Sequence, residues 1–453
     1  LKPVNKDSSG CVINFESQTI RAIYQKMRRD LKNKILIVGG GACGLMAAME
    51  LLAKGYEVTL LESRNRLGGR IWSLDAKSAR FKIEAGAEFI HGDLPLTLSL
   101  LKNLGIDIKK TGGKMVVIPQ KGEEKSRDGI NWELLFKKMG KLKKDMPLST
   151  FLSTYFPDES NKQLRNYAIG FAGGYDLADP KKASTLALWE EWNSPEGDQF
   201  RIEGGYASLI AAMEAHCLRE GCSIHLSEAV TNIRWKKGEV KARTAGERIL
   251  EAGKLITTLP VGLWHRDPVP VRFSPGIPEK VRAYRQIGYG PVIKIILIFK
   301  RNFWKEKYGN AGFFLTGQAI PTWWTQFPIA LPMLTGWLGG PAAKKINDLS
   351  QKEILNIALA SLSTAFELDQ KKLNILLAES FIYDWQQDEF SAGGYSYSMV
   401  GSQKAKTELG RPVERTLYFA GEALYAGTLQ GTVEAALESG REVARKIPGT
   451  SHN

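Results

Sequence analysis

The sequence predicts an α/β protein in which a Rossmann-like dinucleotide-binding domain is interleaved with an α+β second domain, a mixed sheet flanked by helices. Three stretches carry the prediction. Lys34 to Glu62 runs apolar strand, glycine turn, helix, apolar strand, acid. Near the other end an apolar strand (Leu417 to Ala420) stops at Gly421-Glu422, and a helix starts at Thr432-Val433. Between them lies PVIKIILIF, a strand that is apolar on both faces apart from one lysine. At 453 residues the chain exceeds one simple core, so two domains are expected.

In the first stretch, Ile35 to Val38 stops at Gly39, and Gly39, Gly41 and Gly44 fall at the G-x-G-x-x-G spacing. Gly39 makes the strand-to-helix turn, and Gly41 lets the backbone approach a pyrophosphate. Gly44 lets helix and sheet pack closely, and Ala42 and Cys43 complete the loop. The helix (Leu45 to Ala53) offers the free N–H groups of its N-terminus to phosphate charge. Gly55 closes it, Val58 to Leu61 is the second strand, and Glu62 is placed to accept from ribose hydroxyls. A glycine triplet alone arises by chance; here strand, triplet, helix, strand and acid come in order. SRNRLGGRIWS follows at once. It reads either as a solvated loop with three arginines or as a second clamp on the pyrophosphate, built from Arg64, Gly69 and Arg70.

Apolar residues make up 43% and charged residues 24%, the balance of a soluble globular protein. The formal charge of +14 (62 − 48) brings nucleic acid, membrane surface and acidic substrates into consideration. No basic run is interleaved with aromatics outside the N-terminal arm, so the charge reads as diffuse and nucleic acid is disfavoured. Cys11, Cys43, Cys217 and Cys222 have neither metal-ligand nor disulfide spacing, and no metal is expected. No stretch approaches the roughly 18 apolar residues that cross a bilayer.

In chain order, residues 1–33 form a basic extension with seven Lys or Arg against three acids, and Ile20 to Leu31 reads as a short amphipathic helix. Because the chain begins at Leu, an upstream segment is left open. Phe81 to Gly92 (FKIEAGAEFIHG) is a turn-rich element whose His91 is either a hydrogen-bonded loop histidine or a substrate contact. Leu96 to about Trp192 is helical and polar, an inserted subdomain. Its Glu190 and Glu191, beside Trp189 and Trp192, are either solvated or placed to meet a cation. Phe200 to Leu209 returns to the first domain, followed by a helix (Leu209 to Arg219), Ala229 to Ile233 and the buried strand Leu255 to Pro260. Trp323, Trp324 and Phe327 read as core or as cavity lining. Ser350 and Glu353 form a capping box for a helix ending at Phe366.

Lys294 is the outlier. Period-two alternation sets it among Val292, Ile296 and Ile298, with Ile293, Ile295, Leu297 and Phe299 opposite, so the strand is buried on both sides. An unpaired ammonium there is costly. It needs a partner or a lowered pKa, unless it snorkels from a strand end. The domain boundaries that follow are 34–95, 196–265 and 381–453 for the nucleotide domain, and 96–195 and 266–380 for the second.

From about residue 34 to 446 these stretches resemble the flavin-containing amine oxidase family, which includes monoamine oxidases, polyamine oxidases, L-amino-acid oxidases and lysine-specific histone demethylases. The resemblance implies FAD rather than NAD, with the Arg64–Arg70 loop following the ribose acid. It implies that the 81–92 element passes under the flavin ring, bringing Gly86, Ala87, Glu88 and Phe89 close. His91 matches a cavity-lining position of polyamine oxidases, whose GA-x-W-I-H-G is very similar. Val230 would meet adenine through its backbone. Lys294, in a V-I-K segment followed by F-W, would hold a water against flavin N5, and Trp385 would pack beside the isoalloxazine. Gly421, Glu422, Thr432 and Val433 would approach the flavin, the helix N-terminus stabilising charge on the reduced ring.

Two departures from the family matter. Gly394 stands where monoamine oxidases carry the cysteine that binds flavin, so the FAD is expected to be non-covalent. Tyr395 matches one tyrosine of their aromatic cage, but Thr432 replaces the other. The implied activity is an FAD-dependent oxidase. Hydride passes from the α-carbon of a primary or secondary amine to flavin, and O2 then yields hydrogen peroxide. Lys294, Tyr395, Thr432 and His91 are the residues expected at the reacting end. A polyamine or other extended amine is favoured, because the G-P-M-R segment of many L-amino-acid oxidases is missing after Arg70. The alternatives are an L-amino-acid oxidase or monooxygenase, a desaturase or protoporphyrinogen-type oxidase acting on C–C bonds, and a structural flavin with no catalysis. A small amine and O2 are the expected partners, and a homodimer is left open. The chain ends soon after its last helix, without the anchor of outer-membrane mitochondrial members; the expectation is a soluble, cytoplasmic protein.

Overall fold

Three distant pieces of chain meet in one parallel sheet. Its strand order is Leu417–Phe419, Lys254–Thr257, Lys34–Val38, Glu57–Leu61, Ser223–His225, and every pairing is parallel. Lys34–Val38 sits in the middle, so the chain leaves it toward Glu57–Leu61 on one side and later returns on the other. That reversal opens a crevice at the strand carboxyl ends, where ligands bind in such sheets. The strands are apolar because both faces are covered: Ile35, Ile37, Val58 and Leu60 pack under the helices Ala42–Ala53, Tyr206–Arg219 and Val433–Arg445. Leu36, Val38, Leu255 and Leu417 pack on the opposite side, against Trp264 and Tyr284. This computed structural model describes residues 31–77, 79–119, 131–194 and 197–450, so the basic arm and Cys11 lie outside the described residues, as does all of the expected helix Ile20 to Leu31 except Leu31.

The second domain is built on a six-stranded mixed sheet ordered Leu377–Asp384, Val292–Phe299, Met333–Gly339, Thr322–Trp324, Ala311–Thr316, Lys114–Ile118. All eight residues of Val292–Phe299 are buried. Ile293, Ile295, Leu297 and Phe299 pack against the helix Gln351–Phe366, whose capping box joins Ser350 and Glu353 as the sequence predicts. Ile296 and Ile298 face Ile83 of the hairpin that enters from the first domain.

Three pieces of the stretch read as a helical subdomain go elsewhere, among them Ile108–Lys110, which pairs antiparallel with Gln199–Ile202. Lys114–Ile118 pairs in parallel with Ala311–Thr316 as a sheet edge; its run of four apolar residues has no periodicity that separates strand from helix. The helix Pro95–Asn103 packs into the nucleotide-domain core through Leu100 and Leu101. Buried Glu434 holds it there by accepting from Leu96 N at 2.8 Å and Thr97 N at 2.7 Å. The helices Trp132–Met139, Leu148–Tyr155, Lys162–Gly174 and Thr185–Trp192 share a separate core centred on Phe151, Leu152 and Phe156. Among the described residues no helix is long and apolar enough to cross a membrane.

Candidate active site

At the carboxyl end of the central sheet the glycine turn forms an open cradle. The helix Ala42–Ala53 begins at Gly41 with no side-chain cap, so its first-turn N–H groups face the crevice. Gly39 adopts φ +111° to make the turn, and a Cβ on Gly44 would lie 1.9 Å from the Gly39 carbonyl. A Cβ on Gly41, by contrast, would meet only the Gly68 carbonyl, at 3.9 Å. The space beside Gly41 is therefore free for a phosphate. The arginine loop lies directly alongside, with Gly68 N donating to Gly40 O at 2.9 Å. Glu62 is buried; its oxygens accept from Gly40 N at 2.7 Å and Arg64 N at 2.9 Å, which fixes the carboxylate at the strand end. The next piece of chain is tied to it by Glu228 N donating to Glu62 O at 2.9 Å, and this brings Val230 to the same end of the crevice. The donor set and the uncapped helix end fit a dinucleotide.

Two arginines of the loop tie it to distant parts of the chain, while Arg66 donates to carbonyls within the loop. Arg64 pairs with Asp388 and donates to Ser391 Oγ at 3.1 Å. Arg70 donates to Gly394 O at 2.6 Å and Glu422 Oε1 at 3.0 Å. Glu422 also accepts from Ser396 Oγ at 2.6 Å, so this acid joins the Gly421 turn to the Tyr395 strand. Thr432 caps the helix Val433–Arg445 by accepting from Ala435 N at 3.1 Å, while its hydroxyl donates to Leu429 O at 2.6 Å. Its side chain is thus committed to shaping the helix end. Cys43 is buried beneath, its thiol pushed up to about 12 by burial, so it is a packing residue.

Beyond the cradle, the 81–92 element runs between the two domains. A Cβ on Gly86 would lie 1.8 Å from Arg70 O and 3.3 Å from the Trp385 ring, so only glycine fits there. Trp385 Nε1 donates to Ala85 O at 2.9 Å. Lys294, 1% exposed, reaches across from the second domain and donates to Gly86 O at 3.0 Å and to Glu88 Oε2 at 2.7 Å. This is the partner that a lysine on a buried strand requires. Burial alone would raise the Glu88 carboxyl; the charges of Lys294 and Arg201 overcome it and hold the group down at about 2. Glu84, on the same element, has no such cations in contact, and burial pushes it up to about 7.

The Lys294 ammonium lies 5.4 Å from the Trp324 ring centre, and Trp324 is one member of a closed circuit of aromatic side chains. Phe89 lies 5.6 Å from His91, His91 6.2 Å from Tyr175, Trp337 6.5 Å from Tyr395, Trp324 6.0 Å from Trp337 and Phe89 5.6 Å from Trp324, centre to centre. The Tyr395 hydroxyl closes the circuit by donating to Tyr175 O. Tyr175 is 47% exposed and stacks on exposed Phe171, so the circuit meets solvent on that side. Burial lowers His91 to about 4 and leaves the imidazole neutral at ordinary pH. Trp323, by contrast, is wholly buried and donates to Ile320 O at 3.0 Å, a core residue.

Next to Tyr175 is an acidic corner. Asp176 is 5% exposed; its Oδ2 accepts from Trp192 Nε1 at 2.9 Å, and its Oδ1 is buried with no hydrogen-bond partner. Burial first, then the neighbouring Glu191 charge, pushes Asp176 well up, and burial pushes Glu191 to about 7. A carboxyl whose folded pKa is raised loses stability as pH rises from its unfolded value through its folded one. Asp176→Asn keeps an acceptor for Trp192, so it is expected to be neutral near pH 4 and to stabilise the fold by about 1–3 kcal/mol at pH 8. Chemical denaturation of both proteins at the two pH values measures this; a pH-independent difference would remove the buried charge as its cause.

Sequence reasoning located Glu88, Lys294, Trp385 and Tyr395 but missed Arg201, Gln326, Tyr175, Trp337 and Asp176. That Glu88 is the acid Lys294 requires carried no local signal, since Glu84 stands in the same glycine-containing element.

A sequence profile described as "Flavin containing amine oxidoreductase" matches residues 42–448. The chain is 27% identical to human "Lysine-specific histone demethylase 2" over 96% of its own length and 56% of the relative's. It is 26% identical to "Polyamine oxidase 2" of Arabidopsis thaliana over 90% and 86%. Against "Lysine-specific histone demethylase 1 homolog 3" of Arabidopsis thaliana the figures are 25% identity, 92% of this chain and 30% of the relative, so the chain spans about a third to a half of the demethylases it resembles. Among solved structures, wild-type putrescine oxidase bound to putrescine superposes with a TM-score of 0.77 at 20% identity, covering 92% of this chain and 98% of that one. Cyclohexylamine oxidase from Brevibacterium oxydans superposes at 0.74 and 19%, covering 91% and 98%. These two likenesses establish the fold.

Proposed function

Since the chain belongs to the flavin-containing amine oxidoreductase family, we propose that it is an FAD-dependent oxidase of primary or secondary amines, with extended di- or polyamines favoured. FAD, bound non-covalently, would supply a two-electron acceptor for the hydride of the substrate α-carbon, with O2 as the final oxidant and hydrogen peroxide as its product. The protein's share is to bind, orient and dehydrate the amine. The uncapped helix at Gly41 and the Glu62 carboxylate would hold pyrophosphate and ribose. Gly86 and Trp385 would lie against the ring, and Lys294 at its edge.

The observation that carries the reading is the Glu88-paired lysine against Trp324, one ring of the aromatic circuit. The rings offer apolar faces to a neutral amine and to its methylene chain. His91, uncharged, does not repel a cation. Asp176 and Glu191 set two carboxyls beside Tyr175, where a distal ammonium would favour their charged forms, and this favours an extended amine over an α-amino acid. Arg201, the arginine nearest the circuit, is already paired with Glu88 at 2.9 Å and so is poorly placed to clamp a substrate carboxylate.

Anaerobic mixing of the holoenzyme with a panel of monoamines, diamines, polyamines and amino acids tests the reading. Bleaching of the flavin by diamines or polyamines, with an equivalent of peroxide on readmitting air, is expected. Flavin that no amine bleaches would sink it, and bleaching by amino acids alone would move the assignment to the L-amino-acid oxidases.

A further inference from the structure

Glu88 is the most heavily engaged side chain of the site. It is 7% exposed, and its two oxygens divide their partners. Oε2 accepts from Lys294 Nζ at 2.7 Å. Oε1 accepts from Trp324 Nε1 and Arg201 Nη2, each at 2.9 Å, from Arg201 Nε at 3.0 Å and from Gln326 Nε2 at 3.1 Å. Donors from three separate strands or strand ends therefore converge on one carboxylate, and its plane cannot turn without breaking several hydrogen bonds.

That rigidity passes to the lysine. An ammonium carries three N–H groups; Lys294 gives one to Glu88 and one to Gly86 O. One remains, and the other two set its direction. The local charge matters as well. Buried Lys294 and half-buried Arg201 are two cations sharing the Glu88 anion, which leaves an excess positive charge where low polarisability magnifies its field.

We propose that Glu88 is a positioning residue for the flavin reaction: it aims the last N–H of Lys294 at the flavin edge and cancels one of the two positive charges beside it. This rests on the FAD-dependent amine oxidase reading above. Both Glu88 oxygens are taken by protein donors, so it acts through Lys294. With glutamine in its place, the ammonium keeps a weaker acceptor and is free to swing, while the uncancelled charge draws electrons toward the ring.

The test compares wild-type holoenzyme with Glu88→Gln, Lys294→Met and the double variant, reading the midpoint potential of the bound flavin and the rates of its reduction and reoxidation. Removing a buried anion shifts the potential up and removing a buried cation shifts it down, so the single variants move in opposite directions and the double returns toward wild type. One of the two rates falls at least tenfold in Glu88→Gln, but less than threefold when the same change is made on Lys294→Met. Potentials that move together or stay still, or rate losses that multiply in the double variant, overturn the proposal. Should Glu88→Gln fail to hold flavin, Glu88→Asp decides. It keeps the charge but shortens the arm, so the potential stays near wild type while the rate falls only when Lys294 is present; a loss that persists on Lys294→Met overturns the proposal. If no amine reduces the wild-type flavin, the functional reading fails, and the potentials still report on Glu88.

Discussion

Replacing Lys294 by methionine is expected to leave FAD bound and to slow flavin reduction or reoxidation at least tenfold, about 1.4 kcal/mol of activation free energy. Methionine is nearly the same length and fills the buried strand position without a void. Glu88 does not become an orphaned charge, because Arg201, Trp324 and Gln326 still bind its other oxygen. The variant therefore separates chemistry from folding more cleanly than most buried-charge deletions, which cost about 3–5 kcal/mol when the partner is stranded. Stopped-flow absorbance of each half-reaction, with a melting curve as control, is the measurement. Kinetics matching wild type in both halves would remove Lys294 from the mechanism.

The largest structural effect is expected at the glycine turn, from two variants that look alike in sequence. Gly44→Ala places a methyl 1.9 Å from the Gly39 carbonyl, backbone against backbone, so helix and strand must separate. It is expected to cost about 1–3 kcal/mol even in the apoprotein and to weaken FAD by at least tenfold. Gly41→Ala adds its methyl where the nearest protein atom is 3.9 Å away, at a backbone φ of −78° that any residue tolerates. The apoprotein is expected to melt as wild type does, with FAD affinity reduced at least tenfold, because the methyl occupies space the pyrophosphate needs. Apo melting curves and flavin titrations of both variants decide this. An unchanged FAD affinity in Gly41→Ala would place the cofactor somewhere other than this cradle.

How much was readable in advance differs from element to element. The turn from Lys34 to Glu62 was legible because its parts are local: each residue's task depends on neighbours within about 30 positions. The buried strand at Lys294 was legible from alternation alone, and so was the need for a partner. The identity of that partner was not, since Glu88 lies 206 positions away and nothing local distinguishes its carboxylate from those of Glu84 or Glu62. The edge strand Lys114–Ile118 was missed for the opposite reason. Its signal is five residues long, and its pairing partner, Ala311–Thr316, supplies the rest.

By itself, then, the amino-acid sequence determined the central sheet, the dinucleotide cradle and the presence of a costly buried lysine, because strand periodicity, glycine spacing and the price of burying charge are read from adjacent residues. Only the tertiary structure decided what that lysine touches, which rings make the aromatic circuit and where Asp176 leaves an oxygen without a partner. Those properties come from side chains far apart in the chain, brought within contact range only when the chain folds.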